Sequence, residues 1–476
     1  MSQTSIASPQ DFSPAYNPLK FIVDSTNKNN SGFRYIFDIY ESGTTNKVGE
    51  YKILPRYNDG YGEQDLSKLI QNLMSWDLDT SSTTSIAAPK SSYEFDVKVG
   101  EEYVYQVTYV SNLTNASGNV QINVSNSFAA GDQIVIAQTD GGVANPQLEG
   151  LHTVISATGS AIVVNVLWST ITSASVDGVV KYADNRKTIT RDIIEAENYI
   201  AYNAAFRWTD WSTYDEDNYT LNSNTKLWLT NQPQSFRMTP GQDAWLNLRK
   251  PKTTQTVRFE TSDSSTYSKT LTQLTEIVQV AVGAGNNGLF LTDGLDWFDF
   301  WFDNSSTLGQ QDSVKYRVYL DRRNLLNEEY HIVFLDRLGS FSSFAFQLKS
   351  YERGDVTREV FNRKVEGFVN GSDHWTYNTE DFGFNQLNVN AVKSLDLNSD
   401  WMTQDMATYF EELMTSPQTF IKKVSYICSD TLQVVDSTYQ PVILNTNSYE
   451  VFKQRNKNLI RQNINVRFAN QDNING

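Results

Sequence analysis

Residues 33–40 read Phe-Arg-Tyr-Ile-Phe-Asp-Ile-Tyr, and this stretch decides the fold class. Phe33, Tyr35, Phe37 and Ile39 alternate with Arg34, Ile36, Asp38 and Tyr40, a period of two that lines one face of an extended strand. The turn-rich Glu41-Ser42-Gly43-Thr44 follows, and an apolar run from Val48 to Leu54 returns before Pro55 stops it. The same alternation recurs at Tyr93 to Val99 and, across Gly100, at Tyr103 to Tyr109, which reads as a hairpin in a β-sandwich. The expected fold is mainly β: multi-domain β-sandwiches with an inserted small β-barrel and a few short helices.

Composition changes along the chain. From about Asn112 to Asp184 aromatics thin out and Gly and Val/Ile pairs take over. This predicts a small β-barrel over 112–183, with strands at Val120–Val124, Gln133–Ala137, Thr153–Ser156 and Ile162–Leu167 and a turn at Asp140-Gly141-Gly142. Aromatic sequence resumes afterwards, so the barrel is inserted into a discontinuous sandwich of 1–111 plus 184–255. A second β-rich domain is expected over 256–476. Its strand candidates are Val314–Leu320, His331–Leu335 and Phe341–Leu348, the last two joined through Leu338-Gly339-Ser340. Strands are also expected at Lys226–Leu229, Ala244–Leu248, Val257–Phe259, Leu274–Val282, Tyr439–Leu444 and Leu459–Phe468. The segment 189–211 fits a helix or a pair of strands.

Helical spacing occurs twice. Leu66, Leu69, Ile70 and Leu73 predict one helix between Asp65 and Trp76, with Asp65 capping the first turn. Met402, Met406, Tyr409, Phe410 and Leu413 predict another over 400–414, with Ser399 or Asp400 as cap and Pro417 as stop.

Lys and Arg total 39 against 55 Asp and Glu, a formal charge of −16. Such an exterior repels phosphate backbones and anionic lipid, which argues against nucleic acid and membrane partners. The single cysteine, Cys428, excludes an internal disulfide framework and a thiolate zinc site. The amino terminus reads as no secretory signal, and no apolar run reaches the length of a membrane span. The core must come from packing, and 25 Tyr, 25 Phe and 10 Trp supply large buried areas in few positions.

Motifs for chemistry are sparse. Gly283, Gly285 and Gly288 match G-x-G-x-x-G, but Leu289-Phe290-Leu291 continues as a strand where a dinucleotide site needs a helix, so Asn286-Asn287-Gly288 is read as a hairpin turn. Tyr214-Asp215-Glu216-Asp217 lacks the spacing of a calcium loop. His152, His331 and His374 form no metalloprotease pair, and no nucleophile elbow exists. No catalytic residue, metal ligand or cofactor is assigned, and the chain is read as non-enzymatic.

Two segments remain as interface candidates. Residues 293–304 interleave Asp296 and Asp299 with Trp297, Phe298, Phe300 and Trp301. They read as a buried aromatic strand or subunit interface, or as a glycan platform whose carboxylates can hydrolyse a glycosidic bond. Lys453, Arg455, Lys457 and Arg461 form the one notable basic cluster, read as a contact with an acidic neighbouring subunit or as a charge-protected strand edge.

Three stretches resemble structural tail proteins of tailed bacteriophages, in particular those of phages of Bacteroidetes hosts. They are FIVDSTNKNNSGFRYIFDIY with the later DGYGEQDLSKLI, the barrel sequence FAAGDQIVIAQTDGGVANPQLEGLHTVISA, and DWMTQDMATYFEELMTSPQTFI followed by PVILNTNSYEVFKQRNKNLIRQNINVRFANQ. The resemblance implies a tail, tail-tip or baseplate subunit that forms a homo-oligomeric ring with other virion proteins. It also implies assembly in the host cytoplasm, which fits a cysteine-poor β-protein without an export signal. The alternative it leaves open is a carbohydrate-binding receptor-recognition protein or a polysaccharide depolymerase acting on a host surface glycan.

Overall fold

The computed structural model describes the chain apart from residues 1, 77, 82, 111–112, 140–143, 185, 289–293, 304–309, 324–327, 364–382, 429–431, 437, 447–458 and 471–476. The protein is mainly β and multi-domain, with two compact units. One comprises 1–73 and 93–201, the other 74–92 and 202–476. Sequence reading placed 202–255 with the first domain. The structure places it in the second unit, because Trp245–Arg249 pairs with Ile277–Ala281 and Ser235–Met238 pairs with Tyr316–Leu320.

In the first unit, Arg34–Glu41 is the strand the alternation predicts, flanked by Lys47–Ile53 and Ser92–Val104 in antiparallel register. Its five-stranded sheet continues through Lys187–Tyr202 to Phe12–Pro14. A three-stranded sheet of Gln3–Ala7, Lys20–Ser25 and Gly62–Asp65 supplies the other layer. Phe21 from that layer meets Tyr199 at 5.1 Å and Phe95 at 6.4 Å, both edge to face, so the layers close as a sandwich over aromatic rings.

The expected hairpin at Gly100 does not form. Ser92–Val104 is one strand, and Gly100 is required by a close approach: a Cβ there would lie 2.4 Å from the Thr190 carbonyl oxygen. The ambiguous segment resolves mostly as the long strand Lys187–Tyr202, followed by one helical turn at Trp208–Trp211.

Between the adjacent strands Ser92–Val104 and Lys187–Tyr202 the chain makes a seven-stranded, half-barrel sheet. The four expected barrel strands are present as Asn119–Ile122, Gln133–Gln138, Gly150–Thr158 and Ala161–Leu167. Gln106–Tyr109, read as half of the hairpin, instead pairs with Gly178–Tyr182 at the edge of this sheet. Val120, Ile122, Ile134, Ile136, Val154, Ile162, Val164 and Val180 fill its interior, which explains why so few aromatics suffice. The Asp140-Gly141-Gly142 turn lies outside the described residues.

The second unit is also two-layered. A five-stranded sheet runs in the order Ser235–Met238, Tyr316–Leu320, Trp297–Asp303, Gln255–Thr261, Thr266–Leu271. The larger sheet includes the hairpin Glu329–Leu335 with Phe341–Phe346, turned at Gly339 with φ +91° as expected. Lys226–Leu229 is not a strand; only Leu229 bridges to Asn247. One continuous core takes residues from both sheets and from the helix Gln404–Met414. Met406, Tyr409, Phe410 and Leu413 are buried as the helical spacing predicts. The cap is Thr403 rather than Ser399 or Asp400, because Met402 and Thr403 pair as a short strand with Ile460 and Leu459 and hold the chain extended up to the helix start. In the other helix, Ser67–Gln71, Asp65 accepts a hydrogen bond from the Ser67 amide at 2.9 Å.

At one end of the larger sheet, Tyr351–Asn362 and Phe384–Asn398 form a two-stranded arm that sequence reading did not assign. Only Ser394–Asn398 at its base pairs onward, with Asn463–Arg467. Every residue of Tyr351–Asn362 is exposed.

Candidate functional site

The aromatic-acidic segment is the strand Trp297–Asp303, third in the five-stranded sheet. Strand alternation splits it by function. Phe298, Phe300 and Phe302 enter the core, where Phe300 stacks on Tyr316 at 5.2 Å and meets Trp228 edge-on at 5.2 Å. Trp297, Asp299, Trp301 and Asp303 face the other way into a ladder of cross-strand cations.

Each rung of that ladder is specific. Both Asp299 oxygens accept from Arg317, at 2.7 Å from Nε and 2.8 Å from Nη2. The same guanidinium lies 3.9 Å from the Trp297 ring centre, and the Lys315 ammonium lies 4.1 Å from that of Trp301. Asp303 pairs with Arg258. Fork-on-carboxylate geometry and cations over indole faces order the surface and occupy the acids. Asp299 is therefore held in an ion pair with Arg317, and Asp296 stands exposed just before the strand begins. Sequence reading found the strand and missed its partners, since Arg258, Lys315 and Arg317 become neighbours only through sheet register.

A groove of about 130 Å³ opens beside this sheet, lined by Arg237, Tyr319, Asp321, Arg323, Trp401 and Met402 among others. Arg323 bridges Asp321 and Asp400, at 3.1 Å to the latter. The Arg461 guanidinium lies 4.2 Å from the Trp401 ring centre at this mouth. Arg461 is thus the one residue of the basic cluster that the structure places; Lys453, Arg455 and Lys457 lie outside the described residues.

Two buried polar groups escaped sequence reading. His331 Nε2 lies 2.9 Å from Glu329 and 3.1 Å from Thr239 Oγ1. The acid and the hydroxyl meet the same ring nitrogen, so this is no relay, which needs them on opposite nitrogens. The Glu-x-His spacing on a strand signals the shared face. Asp336, pushed up to about 7 by burial, accepts from the amides of Leu338 and Ser340 and from the Thr230 hydroxyl. It organises the Gly339 turn. Beside it a cavity of about 400 Å³ is lined by Arg207, Arg337, Asp405 and Glu412. Burial also raises Glu412, opposed by the Arg337 charge.

The remaining motifs resolve structurally. Cβ atoms at Gly283 and Gly285 would collide with the backbone of Ala244 and Gly241, at 2.3 and 2.6 Å, so these glycines serve chain packing. Residues 289–291 lie outside the described residues. Asp215 accepts from the Asp217 amide at 3.1 Å in a local turn. Among the described residues no cluster of His, Cys, Asp and Glu is arranged to hold a metal ion, and no helix is long and apolar enough to cross a membrane.

Fold and site together define a multi-domain β-sandwich protein whose ordered polar surface is a lattice of ion pairs and aromatic faces. No protein-family model matches the chain, and no curated protein matches it.

Proposed function

We propose that this chain is a structural component of a tailed-bacteriophage virion, a tail, tail-tip or baseplate subunit that works as a homo-oligomer. The observation that carries the reading is the two-stranded arm. Val360, Phe384 and Leu387 on it are 60%, 67% and 67% exposed, and a lone two-stranded ribbon is marginal in water. A neighbouring subunit gives such an arm its use. The phage assignment rests on the three resembling stretches; it places the chain in the tail after assembly in the host cytoplasm, among other virion proteins. Immuno-labelled negative-stain images of particles test it. Label on tails supports the reading, and label confined to free host-cell protein refutes it.

A glycan-facing role has one observation in its favour. Trp297 stands directly opposite Tyr319, which is 41% exposed, on a sheet face that also carries Arg317 and Asp299. Replacing Trp297 and Tyr319 by Ala distinguishes the readings: loss of binding to host-surface polysaccharide with assembly intact supports the glycan role, and unchanged binding removes it.

A further inference from the structure

Among the described residues, Tyr351–Asn362 is hydrogen-bonded on one side only, to Phe384–Asn398, and ends its sheet. An open edge presents a row of unpaired N–H and C=O groups, and proteins that avoid edge pairing shorten the strand, bulge it, place proline in it or load it with charge. This edge is 12 residues long, has no proline, and carries charges of alternating sign in YERGDVTREVFN. The bulge in the arm lies on the other strand, where Leu387 is passed over between the partners of Glu359 and Val360.

The sequence selects a partner. In antiparallel pairing, residues directly opposite turn their backbone groups either both toward the new neighbour or both away from it. When two copies of one strand pair about a two-fold axis, the axis therefore passes through a residue rather than between two. An axis at Arg353, Asp355, Arg358 or Glu359 sets that charge against itself. One at Thr357 opposes Asp355 to Glu359. Axes at Gly354 or Val360 avoid repulsion but leave only a short overlap.

An axis at Val356 sets Arg353 against Glu359 twice, Tyr351 against Phe361 twice and Val356 against itself, over the whole run from Tyr351 to Phe361. Opposite charges and aromatic pairs directly across a ladder are the stabilising kinds. We propose that a second copy of this chain docks here, strand to strand, with the two-fold axis at Val356. The inference rests on the reading of the chain as a self-associating structural subunit and names the surface it uses. Each copy keeps its other faces for the remaining contacts of a larger assembly.

The test uses the full chain with Cys428→Ser as background. Residues opposite each other on an antiparallel ladder have Cα atoms about 4.5–5.5 Å apart, within disulfide reach. Val356→Cys is expected to give a covalent dimer on mild oxidation, and Thr357→Cys, which faces position 355 of the other copy, much less. In light scattering, Arg353→Glu is expected to weaken self-association roughly tenfold, and adding Glu359→Arg to restore it. An oligomer that forms no link through position 356 and ignores the charge swap overturns this register while leaving the assembly reading standing. A chain that stays monomeric at every concentration overturns both.

Discussion

At the scale of single residues, the ladder on Trp297–Asp303 makes Arg317 the residue with most to lose. It closes both oxygens of Asp299 and covers Trp297. Arg317→Met leaves a buried carboxylate without its cation, which costs about 3–5 kcal/mol in a dry interior. The Arg317 side chain is 40% exposed, so water screens the pair and the expected loss is nearer 1–2 kcal/mol. Urea unfolding at neutral pH measures it, and Asp299→Asn paired with Arg317→Met should recover part of the loss. Asp336 gives the pH prediction. Burial holds its folded pKa at about 7, while the unfolded chain has an ordinary carboxyl near ~3.9. Between those values the folded state keeps a proton that the unfolded state has released, so this group's contribution is fully present below about pH 4 and is lost as pH rises toward 7. Asp336→Asn keeps an acceptor for the Leu338 and Ser340 amides and should flatten that decline. Equal slopes of stability between about pH 4 and 7 in the two proteins would refute the assignment.

Among elements, those legible in the sequence are the ones specified by their own spacing. Gln404–Met414 declares its period of 3.6 because one face is buried. Arg34–Glu41 is buried on both faces from Tyr35 to Ile39, and shows its period of two because Tyr35, Phe37 and Ile39 share one face while Asp38 on the other is held by Lys47 and Arg191. What spacing cannot carry is a demand made from far along the chain. Thr403 became the cap because a pairing with Leu459–Ile460 holds it extended, and Gly100 looks like a turn until Thr190 is placed against it. The candidate site divides the same way. The alternation of Phe298, Phe300 and Phe302 with Trp and Asp is readable, and the cations that occupy the acids arrive through register. Gly100→Ala is therefore expected to cost about 2–3 kcal/mol, since a backbone carbonyl and not a flexible side-chain tip must yield. Gly159→Ala, whose Cβ would meet nothing within 4 Å, should stay within about 0.5 kcal/mol. Urea midpoints of the two variants make the comparison, and similar losses would mean the close approach is not what fixes this strand.

For the whole molecule, the arm stands apart from what folds the chain. Its outer strand contributes no buried side chain, whereas Leu395 and Leu397 at the base of the return strand belong to the core. Arg353 and Ser394 stand directly opposite each other in the register. Replacing residues 354–393 by Asn-Gly thus closes the arm at its base with a two-residue turn suited to antiparallel strands, and the pairing of Ser394–Asn398 with Asn463–Arg467 is retained. Since stability follows buried area and none of the described residues among 354–393 is buried, the thermal midpoint of the shortened protein should lie within about 3 °C of the parent. Its self-association through the arm, in contrast, should disappear, and solubility should rise as exposed Val360, Phe384 and Leu387 leave. Calorimetry and light scattering on the same sample read both quantities. A midpoint that falls by more than about 5 °C would make the arm part of the folding unit, and the exposed apolar residues would then need a partner within the chain itself.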